Sequence, residues 1–488
     1  MRKKGFGLLV ALVAAGVLAW LTPQPVAAAS DTPLYMVYYR AWRDRLVTKT
    51  HSAITDPNVQ ALTDLPYGVD IVNVFLPAGQ IQDDGDFLEA LKTVYVPTLH
   101  ERGTQVVSPL SYRGLVNDFK AAYQEQAAGT TSDPALPDYA TPERIAEYAH
   151  GVVQRLVTDR GVDGLDIDAE VFSPTDEERA IVFAVVRALS TELGPKAANG
   201  TKLIWDTTVD KEEVFQPIAD CFDLVAFQQY GQSVEAAQYF GEFFQSIGVP
   251  LSQFVPGLTF EEEGVADGPD VRPTLAESPA VKVAQYVQAN HLGGMFMYAG
   301  DRDGRDNRTD DIDHVRASTF RMSKVLIATT KGVTLEALKA QASHFLARVQ
   351  AEKGWDAAQV AALQAQIAAA TDLTQVVSVF VADTASDSVA PEFDPAYEQV
   401  LMAQPEQVPA AQEDAATAGG PTGQPATETD SSQASTDQPA GNPAAQPAKR
   451  PTPKSQPLPQ TGNVVSWVTV VLGLGSLITV GGLWRRVR

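Results

Sequence analysis

One cysteine in 488 residues, Cys221, leaves no partner for an internal disulfide and no thiolate cluster for a metal. Six histidines are scattered and form no H-E-x-x-H pair, so a zinc hydrolase of that type is not indicated. The chain lacks a G-x-S-x-G elbow, which argues against a serine hydrolase, and no G-x-G-x-x-G loop follows any strand-like run. Neither a metal nor a cofactor is therefore expected. Positive charge is scarce, with 37 Lys and Arg against 60 Asp and Glu and a net charge of −23. Six of those cations sit at the ends, as Arg2, Lys3, Lys4, Arg485, Arg486 and Arg488, so the centre is more acidic still. A body of that sign repels phosphate backbones, and nucleic acid is not expected as a partner. Long apolar runs occur only at the two ends, which excludes a protein of many membrane spans. The remainder, 44% hydrophobic and 20% charged, is ordinary for a globular chain of two or three domains.

The ends read as addresses. Residues 1–29 place Arg2-Lys3-Lys4 before an apolar run from Phe6 to Leu21 and the small residues Ala27-Ala28-Ala29, the layout of a secretory signal. Residues 458–488 open with Leu458-Pro459-Gln460-Thr461-Gly462, continue as an apolar stretch from Val464 to Trp484, and close on an arginine cluster. The stretch, of about 20 residues, is long enough to span a bilayer, and the basic tail would hold its end inside. This arrangement resembles the LPxTG sorting signal of Gram-positive cell-wall proteins. The resemblance implies that a sortase cuts between Thr461 and Gly462 and joins Thr461 to peptidoglycan, so that the chain faces outward and meets the membrane only in transit.

Residues 401–457 are read as a disordered wall spacer. Between Pro405 and Pro457 there are ten prolines and one large aliphatic, Val408, too little apolar surface to offset the entropy of ordering. Residues 326–400 are read as a small helical domain. Leu335, Leu338, Ala342, Phe345, Leu346 and Val349 follow helical spacing, Asp356 is placed to cap a second helix carrying Val360, Leu363 and Ile367, and Leu373, Val376, Val377 and Phe380 mark a third. Packing against the main domain and contact with glycan are the two roles open to it.

Residues 30–325 repeat strand, loop and helix. Candidate strands are 34–39, 70–76, 105–110, 162–170, 202–208, 222–230, 253–259 and 294–298. Thr141-Pro142 caps a helix burying Ile145, Tyr148, Ala149, Val152 and Val153, and Ser173-Pro174 starts another that stops at Gly194-Pro195. Eight such units predict an α/β fold, a (β/α)8 TIM barrel, with a doubly wound open sheet as the competitor. Cys221, at the start of the sixth strand, is read as a buried small hydrophobe. Asp301-Arg302-Asp303-Gly304-Arg305-Asp306 lacks the spacing of an EF-hand and is read as a solvated acidic loop.

The chemistry is concentrated in Val162-Asp163-Gly164-Leu165-Asp166-Ile167-Asp168-Ala169-Glu170. Side chains alternate along a strand, so Leu165, Ile167 and Ala169 face the helices while Asp166, Asp168 and Glu170 point inward and climb toward the mouth. Three inward carboxyls are costly to bury, and a folding role alone explains them poorly. Alternate residues lie about 6.5–7 Å apart along a strand, so these acids share protons, and Glu170, nearest the mouth, is placed to act as a general acid. Asp168, one step deeper, can hold a substrate group or exchange a proton with Asp166. Asp163 is off the inward parity and is read as structural.

Asp163-x-x-Asp166-x-Asp168-x-Glu170 resembles the DxxDxDxE motif of glycoside hydrolase family 18, and the resemblance covers about residues 34–325. It implies a hydrolase in which the acetamido oxygen of the substrate attacks the anomeric carbon. Glu170 would then protonate the leaving oxygen and later activate water, Asp168 would orient the acetamido group, and Asp166 would support Asp168. On the sixth strand, Gln228 and Tyr230 share one face. Tyr230 matches the tyrosine that donates to the acetyl carbonyl, and Gln228-x-Tyr230-Gly231 resembles the endo-β-N-acetylglucosaminidase branch more than the Met-x-Tyr-Asp of chitinases. Tyr38-Tyr39-Arg40-Ala41-Trp42 resembles the first strand of bacterial endoglycosidases. Tyr39, Trp42, Trp205, Glu261 and Tyr298 complete the expected substrate-binding set, the two tryptophans and Tyr298 as stacking surfaces or as core. A cell-surface, monomeric enzyme acting on N-glycosylated glycoproteins is the expectation. A chitinase is the runner-up, and a glycan-binding adhesin is the reading from another class.

Overall fold

The computed structural model describes residues 32–403 apart from 48–55, 77–84, 132, 261–269, 273, 304–313, 316 and 381–392. Eight parallel strands, β1 (Leu34–Arg40), β2 (Ile71–Phe75), β3 (Gln105–Ser111), β4 (Gly164–Asp168), β5 (Lys202–Thr207), β6 (Leu224–Gln228), β7 (Phe254–Thr259) and β8 (Gly294–Tyr298), pair in chain order. The ring closes where Leu34–Val37 of β1 meet Gly294–Met297 of β8. Closure selects the TIM barrel over the open sheet.

Alternation along the strands builds two cores. Tyr35, Val37, Val72, Val106, Leu165, Leu203 and Val225 turn outward under the helices. Met36, Tyr38, Ile71, Val107, Ile204, Leu224, Val255 and Phe296 fill the barrel. Gly257 makes room for one of these plugs, because a Cβ there would fall 1.8 Å from the Phe296 ring. Phe296 supports Tyr38, with ring centroids 4.9 Å apart, and so fixes the floor beneath the mouth.

Helix Pro142–Val153 begins at the expected Thr141 cap and buries the five expected residues. Helix Asp176–Leu189 starts two residues past Ser173-Pro174, because Thr175 and Glu178 form the reciprocal capping box. It ends at Leu189, and Gly194–Ala197 is a separate single turn.

Helix Arg321–Thr330 crosses the expected boundary at residue 325. Its residues are almost all buried, the polar Ser323, Lys324, Thr329 and Thr330 included, so the polarity of the sequence does not report its burial. The segment before it corrects the reading of a solvated acidic loop. Asp301 is buried against Arg40, whose Nε and Nη2 donate to it at 3.0 and 2.5 Å. Asp303 is fully buried and accepts from Met322 N at 2.9 Å and Ser323 N at 2.6 Å, holding the helix start. Residues 304–306 of that run lie outside the described residues.

The barrel and the helices after it belong to one compact unit. Helix Leu335–Lys353 buries Leu338, Ala342, Phe345, Leu346 and Val349, and Asp356 caps helix Ala357–Ala369 through Ala358 N and Gln359 N, both at 2.8 Å. Asp394 accepts from Tyr67 N at 2.7 Å and the Tyr67 and Tyr397 rings lie 4.6 Å apart, which docks helix Pro395–Ala403. Tyr67 precedes β2, so these contacts are at the end of the barrel away from the acids. Among the described residues no helix is long and apolar enough to cross a membrane. The expected signal, the spacer from residue 404 on, Thr461, Gly462 and the apolar span all lie outside the described residues.

Candidate active site

Asp163 sets the phase of β4. Its carboxylate accepts from Val106 N at 2.7 Å and lies 2.8 Å from His100 Nε2, tying β4 to β3 from outside the barrel. On the other side Gly164 lets β5 come close, since a Cβ there would meet Lys202 O at 2.1 Å. With that phase, Asp166 and Asp168 face inward, and Glu170 continues the row beyond the strand. Asp166 is 1% exposed, while Asp168 and Glu170 are half-buried, so the row rises from a closed floor to an open mouth.

Asp166 Oδ2 accepts from Tyr38 Oη at 2.6 Å and from Asn73 Nδ2 at 2.5 Å. Burial outweighs these two donors and raises its pKa to about 7. Asp168 is held well above the usual carboxylate range by burial, then by the charges of Glu170 and Asp166. Glu170 is raised by burial, with an N–H of Gln228 opposing the shift. A fourth acid joins them. Asp206 of β5 pairs in register with Asp168, is 2% exposed and accepts from Gln228 Nε2 at 3.0 Å. Burial and then the charges of Asp166, Asp168 and Glu170 push it well up. Four carboxyls this close titrate as a set, and at neutral pH the set retains protons. Oδ1 of Asp166, Asp168 and Asp206 has no hydrogen-bond partner among the described residues, leaving donor and acceptor capacity aimed into the site.

Tyr230 faces the acids from two residues past β6. Burial and the charge of Asp206 raise its pKa, so its hydroxyl remains a donor throughout the physiological range. Its ring is stacked on Tyr298 at 6.0 Å and 26°. Phe75 meets Tyr298 edge-on at 6.0 Å and Trp42 at 6.1 Å, and the Arg40 guanidinium lies 5.7 Å from the Trp42 ring. Tyr298, Phe75 and Trp42 thus form one half-buried aromatic wall beside the acids. Such a wall can stack on a sugar, and the protonated acids can deliver a proton to a bond held above them. Among the described residues no group of three or more His, Cys, Asp or Glu is arranged to hold a metal ion.

Residues 37–297 match the family model of the endo-β-N-acetylglucosaminidase EndoS TIM-barrel domain. The chain belongs to that endo-β-N-acetylglucosaminidase family. Its barrel is the fold of a glycoside hydrolase. It is 39% identical over 323 residues to an endo-β-N-acetylglucosaminidase of Bifidobacterium longum subsp. infantis, covering 64% of this chain and 57% of that relative. It is 30% identical over 303 residues to endo-β-N-acetylglucosaminidase F2 of Elizabethkingia meningoseptica, covering 61% and 82%. This endoglycosidase-family chain thus spans little more than half the length of the bifidobacterial relative. The crystal structure of the endo-β-N-acetylglucosaminidase of Cordyceps militaris superposes with a TM-score of 0.51 at 26% identity, over 68% of this chain and 97% of that one. The fungal enzyme is also known as a mutant with an Asp and a Glu replaced two positions apart, in complex with fucosyl-N-acetylglucosamine-Asn.

In this endoglycosidase-family barrel, two expected sugar contacts fall on the wrong face. Tyr39 is fully buried between strands and helices, where its hydroxyl donates to Asp44 Oδ2 at 2.9 Å. Tyr38, one residue earlier, has the inward parity and touches Asp166. Trp205 is 1% exposed and packs against Tyr112, Phe215 and Phe222 in the outer core, so it supplies no platform. Its neighbour Asp206 is the inward residue. Glu261 lies outside the described residues. Tyr38, Asn73 and Asp206 were absent from the expected set, although strand parity counted from β1, β2 and β5 points each of them inward.

Proposed function

We propose that this chain is a cell-surface endo-β-N-acetylglucosaminidase that hydrolyses the β-1,4 bond between the two core N-acetylglucosamines of N-linked glycans. The observation that carries the reading is the inward row Asp166, Asp168, Glu170, faced by Gln228 and Tyr230 and flanked by an aromatic wall. The family-18 motif supports a retaining, substrate-assisted route. Glu170 gives its proton to the leaving oxygen as the bond from that oxygen to C1 breaks. The acetamido oxygen of the same sugar bonds to C1, while Asp168 takes the acetamido N–H and balances the developing oxazolinium charge. Tyr230 donates to the acetyl oxygen and orients it for attack. Asp166, held by Tyr38 and Asn73, keeps the proton shared beneath Asp168. Water then adds to C1 and returns a proton to Glu170, restoring the acetamide with net retention.

The substrate class is supported by the relatives' names and by the sugar–asparagine ligand of the fungal enzyme, whose replaced Asp and Glu have the spacing of Asp168 and Glu170. Wall attachment through Thr461 is supported by the sequence of the two ends alone. Glu170→Gln tests the chemistry: glycan release from an N-glycoprotein, followed by mass spectrometry, should fall at least ~100-fold. Unchanged release removes the enzyme reading. Turnover of chitin oligomers with an untouched N-glycoprotein makes the chain a chitinase instead. Thr461→Ala should shift the protein from the wall fraction to the medium, and its retention in the wall refutes the anchor.

A further inference from the structure

Asp206 has no role in the mechanism above, yet it is the least explicable side chain in the barrel. It is a carboxyl, 2% exposed, in register with Asp168 and close enough to three other acids to feel their charge. Nothing about closing the barrel requires an acid there. The adjacent inward positions on β5 and β6, Ile204 and Ala226, are apolar. A buried carboxyl among like groups is costly, and an apolar residue of the same size would remove the cost.

What Asp206 does hold is Gln228. Its Oδ2 accepts from Gln228 Nε2 at 3.0 Å. The same amide lends an N–H to Glu170, where it favours the ionised form against burial. A primary amide is two-sided: turned over, Gln228 would present its carbonyl oxygen to both carboxyls and would favour their protonated forms instead. We infer that Asp206 is a positioning residue: as the acceptor for Gln228 Nε2, it locks that amide with its N–H side toward Glu170. Glu170 must give up a proton in the first half of the reaction and accept one in the second, so the side of the amide it meets sets the pH range in which it does both. This role rests on the proposed action of Glu170.

The test uses the full chain and three variants, read as kcat/KM against pH on an N-glycoprotein. Asp206→Leu keeps the size and removes the acceptor. Its alkaline limb, which reports the proton on Glu170, should move to higher pH by about half a unit or more, with kcat/KM at least ~10-fold lower. Asp206→Asn retains a carbonyl acceptor and should keep the limb in place with activity within about threefold. Gln228→Ala should move the limb in the same direction, and adding Asp206→Leu to it should move it no further, because the two act through one contact. A merely structural Asp206 would lower Tm in Asp206→Leu and leave the limb alone. If Asp206→Leu does not fold, Asp206→Ala is read in the same way. The inference is overturned if the limb is unmoved in the acceptor-less variant, if Asp206→Asn moves it equally, or if the effects of Asp206→Leu and Gln228→Ala add. The 13C carboxyl titration of Glu170, assigned by its loss in Glu170→Gln, reads the same shift without substrate. A protein that releases no glycan but shows that shift would sink the proposed function and leave the role of Asp206 standing.

Discussion

Replacing Asp166 with Asn gives the sharpest physical test of the buried acids. Asp166 is fully enclosed, and burial lifts its pKa from 3.8 to about 7. The unfolded chain loses that proton near pH 4, whereas the folded chain keeps it until about pH 7. Between those values the native state binds more protons than the unfolded state, so stability falls as pH rises through this window. At 1.36 kcal/mol per pH unit the loss amounts to about 4 kcal/mol, fully present above pH 7 and absent below pH 4. Asn carries no charge to desolvate, and its carbonyl can still accept from Tyr38 Oη and Asn73 Nδ2. The variant should therefore match the wild type near pH 3.5 and become more stable with rising pH. For about 320 described residues, an unfolding entropy of about 2.1 cal/mol/K per residue turns 4 kcal/mol into a Tm gain of about 6 °C at pH 8. Calorimetric scans of both proteins from pH 3.5 to 8 measure the difference. A Tm difference that is flat across that range, or one that shrinks with rising pH, would refute the claim that this carboxyl is buried with its proton.

Other positions give separable outcomes. Trp205→Ala should cost about 3–5 kcal/mol of stability, with kcat/KM per folded molecule unchanged, and a selective loss of glycan affinity would return Trp205 to the mouth. Gly257→Ala should displace the Phe296 ring and, through it, Tyr38; a wild-type Tm and rate would show the floor to be softer than its packing implies. Arg40→Ala leaves Asp301 buried without the guanidinium that holds it and should cost about 3–5 kcal/mol, which denaturant titration would detect. Asp301→Asn in the same background should recover part of that loss, and no recovery would mean the penalty is not the stranded charge.

The barrel was legible because a parallel strand buried on both faces reads as a short apolar run, and eight such runs with helix-length intervals admit few topologies. Seven of the eight strands shift at an end by one or two residues, as β4 does where Asp163, just before it, turns its carboxylate to Val106 N. Legibility failed where polarity did not report burial. Helix Arg321–Thr330 is buried on every side although it carries Ser323, Lys324, Thr329 and Thr330. Asp301 and Asp303 look like solvent-facing charge until Arg40 and the backbone of Met322 and Ser323 arrive from elsewhere in the chain. Trp205 drew attention as a large aromatic near a strand end, although the inward parity that selects Asp168 on β4 selects Asp206 on β5. Side-chain size suggested one residue and strand register the other, and register decides because a step of one residue exchanges the two faces.

That rule also explains why the acids survive in the centre of a fold whose interior is otherwise packed with apolar side chains. In a closed barrel every inward position is committed to the core, so an acid placed there can be satisfied only by its neighbours in the same layer. On the floor this layer holds Tyr38 and Asn73, whose two hydrogen bonds offset part of the cost of burying Asp166. One layer up, Asp168 and Asp206 stand side by side with an unpartnered oxygen on each among the described residues, and the amide of Gln228 donates to Asp206 alone of the two. The polar deficit therefore increases toward the mouth, where a substrate's own N–H and O–H groups can fill it. On the proposed mechanism, a sugar with an acetamido group beside its reacting carbon supplies both an N–H for Asp168 and the oxygen that attacks C1, whereas a plain hexose offers only a hydroxyl there. If the proposed function holds, a glucose-based oligomer, which lacks the attacking acetamido oxygen, should not turn over, and its hydrolysis at a rate near that of an N-glycoprotein would refute the substrate-assisted route.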